Sequence, residues 1–225
     1  MSTYNKHLLE YLSQFIRAER KAKFDTVLAQ RTKHFTVVLE NIYQPHNSNA
    51  VMRSCDCFGF QDCHLIEEIY KFAPSIGVSS GAVKWLDIYR YDTSQNAIHH
   101  LKEQGYQIVA TSPHKEDCHL ENFDITKKSA FIFGAEKKGL SEKVMQAADI
   151  FLKVPMYGHT ESLNISVSAA IILQNISTRL RNSAIDWQLT PEEKEFLKLE
   201  WIKKSTKNLE VHLRNFDAIW KQNNG

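Results

Sequence analysis

Apolar positions recur along this chain with two different periods, and the change from one to the other divides it. From residue 4 to residue 30, Tyr4, Leu8, Leu12 and Ile16 stand four apart, and Phe24 and Leu28 resume the spacing after a charged break, without Gly or Pro. That spacing predicts one helix. From Phe35 onward, short β-branched and aromatic runs alternate with helical stretches. Strands are predicted at 35–39 (FTVVL), 63–67 (CHLIE), 85–91 (WLDIYRY), at YQIVATS, at 129–134 (SAFIFG) and at IFLKVP. Between them lie predicted helices at about 49–58, 94–104, 141–148 and about 163–180. Asn47 or Asn49 is the expected N-cap of the first, and Gly59 and Gly105 are the expected terminators. SSGAVK reads as loop, and a polar stretch joins YQIVATS to SAFIFG. From Pro191 onward only helical periodicity remains, carried by Phe196, Leu199, Ile202, Leu209, Leu213 and Phe216.

Strands alternating with helices argue for an α/β core with a parallel sheet covered on both faces. The expected organisation is a helical, basic N-terminal extension at 1–33, the α/β domain at 34–182, and a helical C-terminal extension at 183–225 joined through Ser183 to Thr190. A chain of 225 residues suits one core domain with smaller attachments. Hydrophobic residues at 43% and charged residues at 24% exclude disordered and collagen-like chains. No apolar run approaches the ~20 residues needed to span a bilayer, and MSTYNKHLLEYLSQF is unlike a signal peptide. A cytoplasmic protein with no membrane partner is expected. Cys55, Cys57, Cys63 and Cys118 form no CxxC pair and are expected as free thiols. His114 and His119 flank Cys118 without zinc-ligand spacing, so no metal site is expected.

The formal net charge is only +2, but its distribution is uneven. Arg17, Arg20, Lys21, Lys23, Arg31 and Lys33 face only Glu19 and Asp25 between residues 17 and 34. This is either a solvated helix face or a patch that grips phosphates.

Three segments combine backbone-permissive residues with polar groups at strand ends, where open parallel sheets bind ligands. The first is NIYQPHNSNAVMRSCDCFGF, with Arg53 six residues after Asn47. The second is FIFGAEKKGLS, in which Gly134 ends a strand, Glu136 sits in the turn and Gly139 precedes a helix. The third is VPMYGHTESLNISVSAAIIL, where Ser162 and Asn164 open an apolar helix and Ser162 also fits an ordinary N-cap. There is no GxGxxG between a strand and a helix and no GK[ST], which disfavours dinucleotide and P-loop sites.

In this order the three segments resemble the motifs of the SpoU-type branch of the SPOUT methyltransferases. The resemblance is greatest to the TrmH type, the tRNA (guanosine-2′-O)-methyltransferases of the D-loop, and extends over about residues 20 to 182. It implies a SPOUT-type parallel sheet with a C-terminal trefoil knot, a homodimer, and S-adenosylmethionine as methyl donor without a metal. Thr111, Gly134, Val154, Met156 and Leu163 would surround that donor. Arg53, oriented by Asn47, with Glu136, Ser162 and Asn164, would complete the catalytic site. Arg20 and Arg31 match family arginines that contact tRNA, and Lys23 replaces another. An arginine with a pKa above ~12 is a poor base, so Arg53 would act with a substrate phosphate or polarise the hydroxyl. Alternatives are 2′-O-methylation of another tRNA or rRNA nucleotide, or RNA binding without turnover. The roughly 34 residues before the first strand are too few for the separate RNA-binding domain that ribosomal enzymes carry.

Overall fold

The computed structural model describes residues 1–72, 81–112, 117–136 and 138–224. Ser79 and Ser80 of SSGAVK, His114, and Lys137 of the second motif lie outside the described residues. The chain divides into two compact units, Thr32–Trp187 and Met1–Arg31 with Gln188–Gly225.

The larger unit is built on seven parallel strands: β1 (Phe35–Glu40), β2 (Asp62–Ile66), β3 (Asp87–Tyr91), β4 (Gln107–Thr111), β5 (Cys118–His119), β6 (Ser129–Phe133) and β7 (Ile150–Lys153). Their order across the sheet is β3-β2-β1-β6-β4-β7-β5. Pairing is parallel throughout, as in Val37 opposite Cys63 and Phe131. Side chains alternate between two packed faces. Val37 and Leu39 of β1 and Phe131 and Phe133 of β6 enter one core, with residues of α3 (Pro45–Phe58) and α6 (Ile165–Arg181). Val38, Ala130 and Ile132 enter the other, with residues of α4 (Ser94–Glu103) and α5 (Glu142–Ala147). Burial on both faces is why the central strands β1 and β6 read as apolar runs. Phe131 is fully buried, and truncation of such a ring costs about 3–5 kcal/mol.

Several local expectations change. Asn47 and Asn49 are not N-caps, because Pro45, with its preset φ and missing N–H, starts α3 earlier. Asn49 donates to the carbonyl of Pro45. Gly59 does terminate this helix, at φ 82°. Asn164, not Ser162, caps α6 by accepting from the Ser166 amide, so that helix starts after Leu163. Trp85 belongs to a 3-10 turn (Ala82–Trp85) and precedes its strand. The edge strand β5 has only two residues and leaves no period in the sequence.

The smaller unit contains α1 (Thr3–Ser13), α2 (Ala18–Leu28), α7 (Pro191–Ser205) and α8 (Leu209–Asn224). The single helix expected over 4–30 is therefore two. The amides of Gln14, Phe15 and Ile16 bond three residues back, tightening the last turn, while the Ser13 hydroxyl bonds the Leu9 carbonyl. Ile16 is buried beside this break and Arg17 is extended. Tyr4, Tyr11, Phe216 and Trp220 form an aromatic cluster with centroids 5.2–6.0 Å apart. Thr190 and Glu193 make a reciprocal capping box at the start of α7.

Candidate active site

The C-terminal ends of β4, β6 and β7 open on one cavity of about 730 Å³, within the usual size range of small-ligand clefts. Its wall includes Thr111 at the end of β4 and Ser112 after it, Gly134 after β6, Val154 and Met156 after β7, and Ser162, Leu163 and Asn164 before α6. Thr111 has its hydroxyl committed to the Ile132 carbonyl, so its remaining contribution is its methyl and main chain.

Backbone geometry makes the glycines of the second motif necessary. After Gly134 the chain folds into a tight loop closed by reciprocal bonds between Ala135 and Gly139, at 3.0 and 2.8 Å. A Cβ on Gly134 would lie 2.3 Å from the Gly139 carbonyl carbon and 2.4 Å from the Leu140 nitrogen. Gly139 itself sits at φ +67°. Beyond the loop, Ser141 caps α5, and its amide and hydroxyl both donate to the buried carboxylate of Glu40, at 2.8 and 2.6 Å. Ser94 donates to the same carboxylate at 2.7 Å. Glu40, the last residue of β1, thus ties the end of the loop to the sheet.

Glu136 projects from this loop to the start of α3. It accepts from the Asn47 side chain at 2.8 Å and from the amides of Tyr43 and Gln44 at 3.2 and 3.3 Å. Partial burial pushes its pKa up, but these donors outweigh burial and hold it below the usual glutamate value. Asn47 is 1% exposed, and its oxygen accepts from Asn164 at 3.3 Å. One asparagine therefore connects all three motifs.

The structure brings together around the cavity Thr111, Gly134, Val154, Met156, Leu163, Glu136, Ser162 and Asn164, with Asn47 bonded to two of them. Arg53 is not among the lining residues and lies on the exposed side of α3. Six residues of helix separate it from Asn47 by about 9 Å along the axis and about 120° around it. Sequence reasoning missed Gln44 and Glu40. The proline after Gln44 signals a helix start, whereas nothing local marks Glu40, whose partners are remote. It also left Lys138 without a role, although Lys138 lines the cavity.

Of the basic residues expected at RNA, Arg20 and Lys23 are exposed on α2. Arg31 differs from these two in being 1% exposed, with its guanidinium 5.4 Å from the Trp201 ring centre. Among the described residues no group of three or more His, Cys, Asp or Glu is placed to hold a metal. No described helix is long and apolar enough to cross a membrane.

A parallel sheet with a glycine-pinned loop and a ligand-sized cavity at its C-terminal edge is the framework of a group-transfer enzyme. Residues 34–174 match the model of the SpoU rRNA Methylase family, and the chain belongs to that family of methyltransferases. The particular relatives are tRNA-modifying enzymes. The chain is 42% identical over 197 residues to the tRNA (guanosine(18)-2′-O)-methyltransferase of Borreliella burgdorferi, covering 88% of this chain and 90% of that one. It is 34% identical to the enzyme of the same name from Thermus thermophilus, covering 82% and 96% respectively. The solved TrmH/SpoU tRNA modifying enzyme of A. aeolicus superposes with a TM-score of 0.76 at 29% identity, covering 84% of this chain and 98% of that one.

Proposed function

We propose that this chain transfers a methyl group from S-adenosylmethionine to the ribose 2′-oxygen of a guanosine in the tRNA D-loop, position 18 as in the enzymes it is similar to. The observation that carries the reading is the cavity that unites Thr111, Gly134, Val154, Met156 and Leu163 with Glu136, Ser162 and Asn164. Its wall suits the donor chemically. Leu140, Met145, Leu152, Val154, Met156 and Ile172 offer apolar contact to an adenine and an aliphatic chain, and the lining also carries the polar residues Ser162, Asn164 and Ser168. When bound, S-adenosylmethionine supplies an electrophilic methyl on a sulfonium, and no metal is needed for its transfer.

The chain's own work is positioning and proton management. Glu136, engaged by three donors and kept anionic, is a weak base and serves to lock the first and second motifs together. Arg53 holds a substrate phosphate that takes the hydroxyl proton, because a guanidinium does not deprotonate at working pH. Ser162 and Asn164 orient the ribose at the cavity mouth. Arg20 and Lys23 on α2 contact the tRNA backbone.

Two further parts of the reading are architectural. A C-terminal trefoil knot is carried over from the resemblance to the SpoU-type methyltransferases, with which the parallel sheet is compatible. A homodimer is supported by α6, whose outward stripe exposes Val167 and Ile171 at 46% and 40%. A tRNA substrate fits cytoplasmic action.

The test uses purified protein, labelled S-adenosylmethionine and an unmodified tRNA transcript, with nucleoside analysis by mass spectrometry. 2′-O-methylguanosine in the D-loop is expected. Label on a base, or in ribosomal RNA but not tRNA, overturns the substrate. In the same assay Arg53→Ala should abolish turnover while calorimetry shows donor affinity unchanged.

A further inference from the structure

Two tyrosines next to the cavity are left outward. Tyr43 is 64% exposed and Tyr70 40%, and Ile69 beside them is 58% exposed, making an apolar patch. The two rings meet edge to face, with centroids 5.1 Å apart and planes at 68°. That arrangement leaves a ring face open. Among the described residues neither hydroxyl has a hydrogen-bond partner.

The patch is held in place by hydrogen bonds around Asn41 and Glu67. Asn41, immediately after β1, is a non-glycine residue at φ 52°. Such a conformation costs roughly 1 kcal/mol or more and persists where its surroundings impose it. Here the Asn41 side chain accepts the Ile69 amide at 2.7 Å, and its own amide donates to the Ile66 carbonyl at 2.9 Å. The segment carrying Tyr70 is thereby fastened to the segment carrying Tyr43. Glu67 adds a second fastening by accepting from the Phe72 amide at 2.6 Å and from Arg90 at 2.8 Å. On the other side, the Tyr43 amide donates to Glu136, and the next residue, Gln44, lines the cavity.

We infer that Tyr43 and Tyr70 form a stacking platform for the base of the nucleotide being methylated. The inference rests on the proposed function and assigns its base-binding subsite. A ribose whose hydroxyl reacts at this cavity must bring its oxygen within about 3–3.5 Å of the transferred methyl. Its base must then lie outside the cavity, and Tyr43 directly precedes Gln44 of the lining, with its amide bonded to Glu136. Unstacked bases in RNA loops are held by aromatic side chains. The neighbouring charges fit an RNA strand: Lys71 follows Tyr70 at the surface and Lys138 lines the cavity.

A two-sided binding cycle tests this. Wild type, Tyr43→Ala, Tyr43→Phe and Tyr70→Ala are titrated with an unmodified tRNA transcript and with the same transcript carrying an abasic ribose at the methylated position. Stacking of about 1–3 kcal/mol per base predicts that Tyr43→Ala binds the normal transcript about 5- to 150-fold more weakly. Tyr70→Ala should act in the same direction and Tyr43→Phe should bind as wild type does. On the abasic transcript, wild type should already show the loss and Tyr43→Ala should add none. Affinity for S-adenosylhomocysteine should be unchanged in every variant, which also reports an intact fold. Equal losses on both transcripts would overturn the platform. So would normal tRNA affinity with altered sedimentation, which would make the patch a protein–protein surface. Wild-type turnover on the normal transcript is measured alongside: its absence sinks the proposed function, whereas turnover with equal losses sinks the platform alone.

Discussion

The side-chain amide of Asn47 donates to Oε1 of Glu136 at 2.8 Å, across 89 residues of sequence, and so joins α3 to the glycine loop after β6. The same carboxylate accepts the amides of Tyr43 and Gln44 at the start of α3, where a negative charge also meets the positive end of the helix. Glu136→Gln should lower stability at neutral pH by about 0.5–1 kcal/mol, the usual worth of a helix-terminal charge and cap. The pKa of Glu136 is depressed on folding, so the contribution is fully present above the ordinary value of 4.5 and is lost as pH falls through the lower folded value. Denaturant unfolding of both proteins across a pH series should show the two curves merging on the acid side. A difference that stays constant down to strong acid would mean that the charge is irrelevant.

A second prediction follows from the backbone contact at Gly134. An added methyl would overlap Gly139 and Leu140 main-chain atoms at 2.3–2.4 Å, with no flexible side chain to yield. Gly134→Ala must therefore open the loop that lines the cavity. Overpacking of this kind costs about 1–3 kcal/mol, and calorimetry should show S-adenosylhomocysteine binding weakened by more than tenfold. A variant that keeps its donor affinity would remove the loop from the binding site.

Much of this was legible in the sequence because it is written in local pattern. FTVVL and SAFIF are buried on both faces and read as strands directly, and the glycines of the second motif announce a loop that side chains cannot enter. What was not legible depends on distant partners. Asn47 has the composition of an N-cap, but Pro45 starts the helix and a carboxylate from the loop after β6 claims the amide. Arg31 counts as charge in the sequence, yet Trp201 of a helix 170 residues later covers it. The helix at 4–30 breaks without any breaker residue, through a serine hydroxyl and the burial of Ile16.

His64 supplies a pH prediction independent of catalysis. It is 2% exposed on β2, its Nδ1 lies 3.0 Å from the Tyr91 hydroxyl, and its ring stacks on Tyr89 at 4.8 Å. Burial, with His100 and Lys33 nearby, lowers its pKa to about 3. Between about 3 and the ordinary 6.5 the unfolded chain binds a proton that the folded chain refuses, so stability falls as pH falls below 6.5. The slope for one proton is about 1.4 kcal/mol per pH unit. Asp62, raised to about 6 mainly by burial, opposes this over part of the range. The difference between wild type and His64→Phe isolates the histidine: their free-energy gap should change by roughly that slope between pH 6 and 4. A gap independent of pH would mean that His64 is charged inside the fold.

The last prediction concerns the grip on RNA. Arg20 and Lys23 stand three residues apart on α2, both exposed, and so project from one side of the helix. Arg31 is buried against Trp201 and is tested separately. Each phosphate contact that releases a counterion contributes roughly 0.7–0.9 to the slope of log affinity against log salt. Arg20→Ala with Lys23→Ala should therefore weaken tRNA binding and flatten that slope by roughly one and a half units, while affinity for S-adenosylhomocysteine stays the same. Arg31→Ala alone should leave the slope as in wild type and lower thermal stability, because it strips a guanidinium from an aromatic ring. Filter binding across a salt series and a thermal melt distinguish the two roles. An unaltered slope in the double variant would show that the tRNA is held elsewhere, and the next residues to change are Lys204 and Lys207, exposed at the end of α7 and just beyond it.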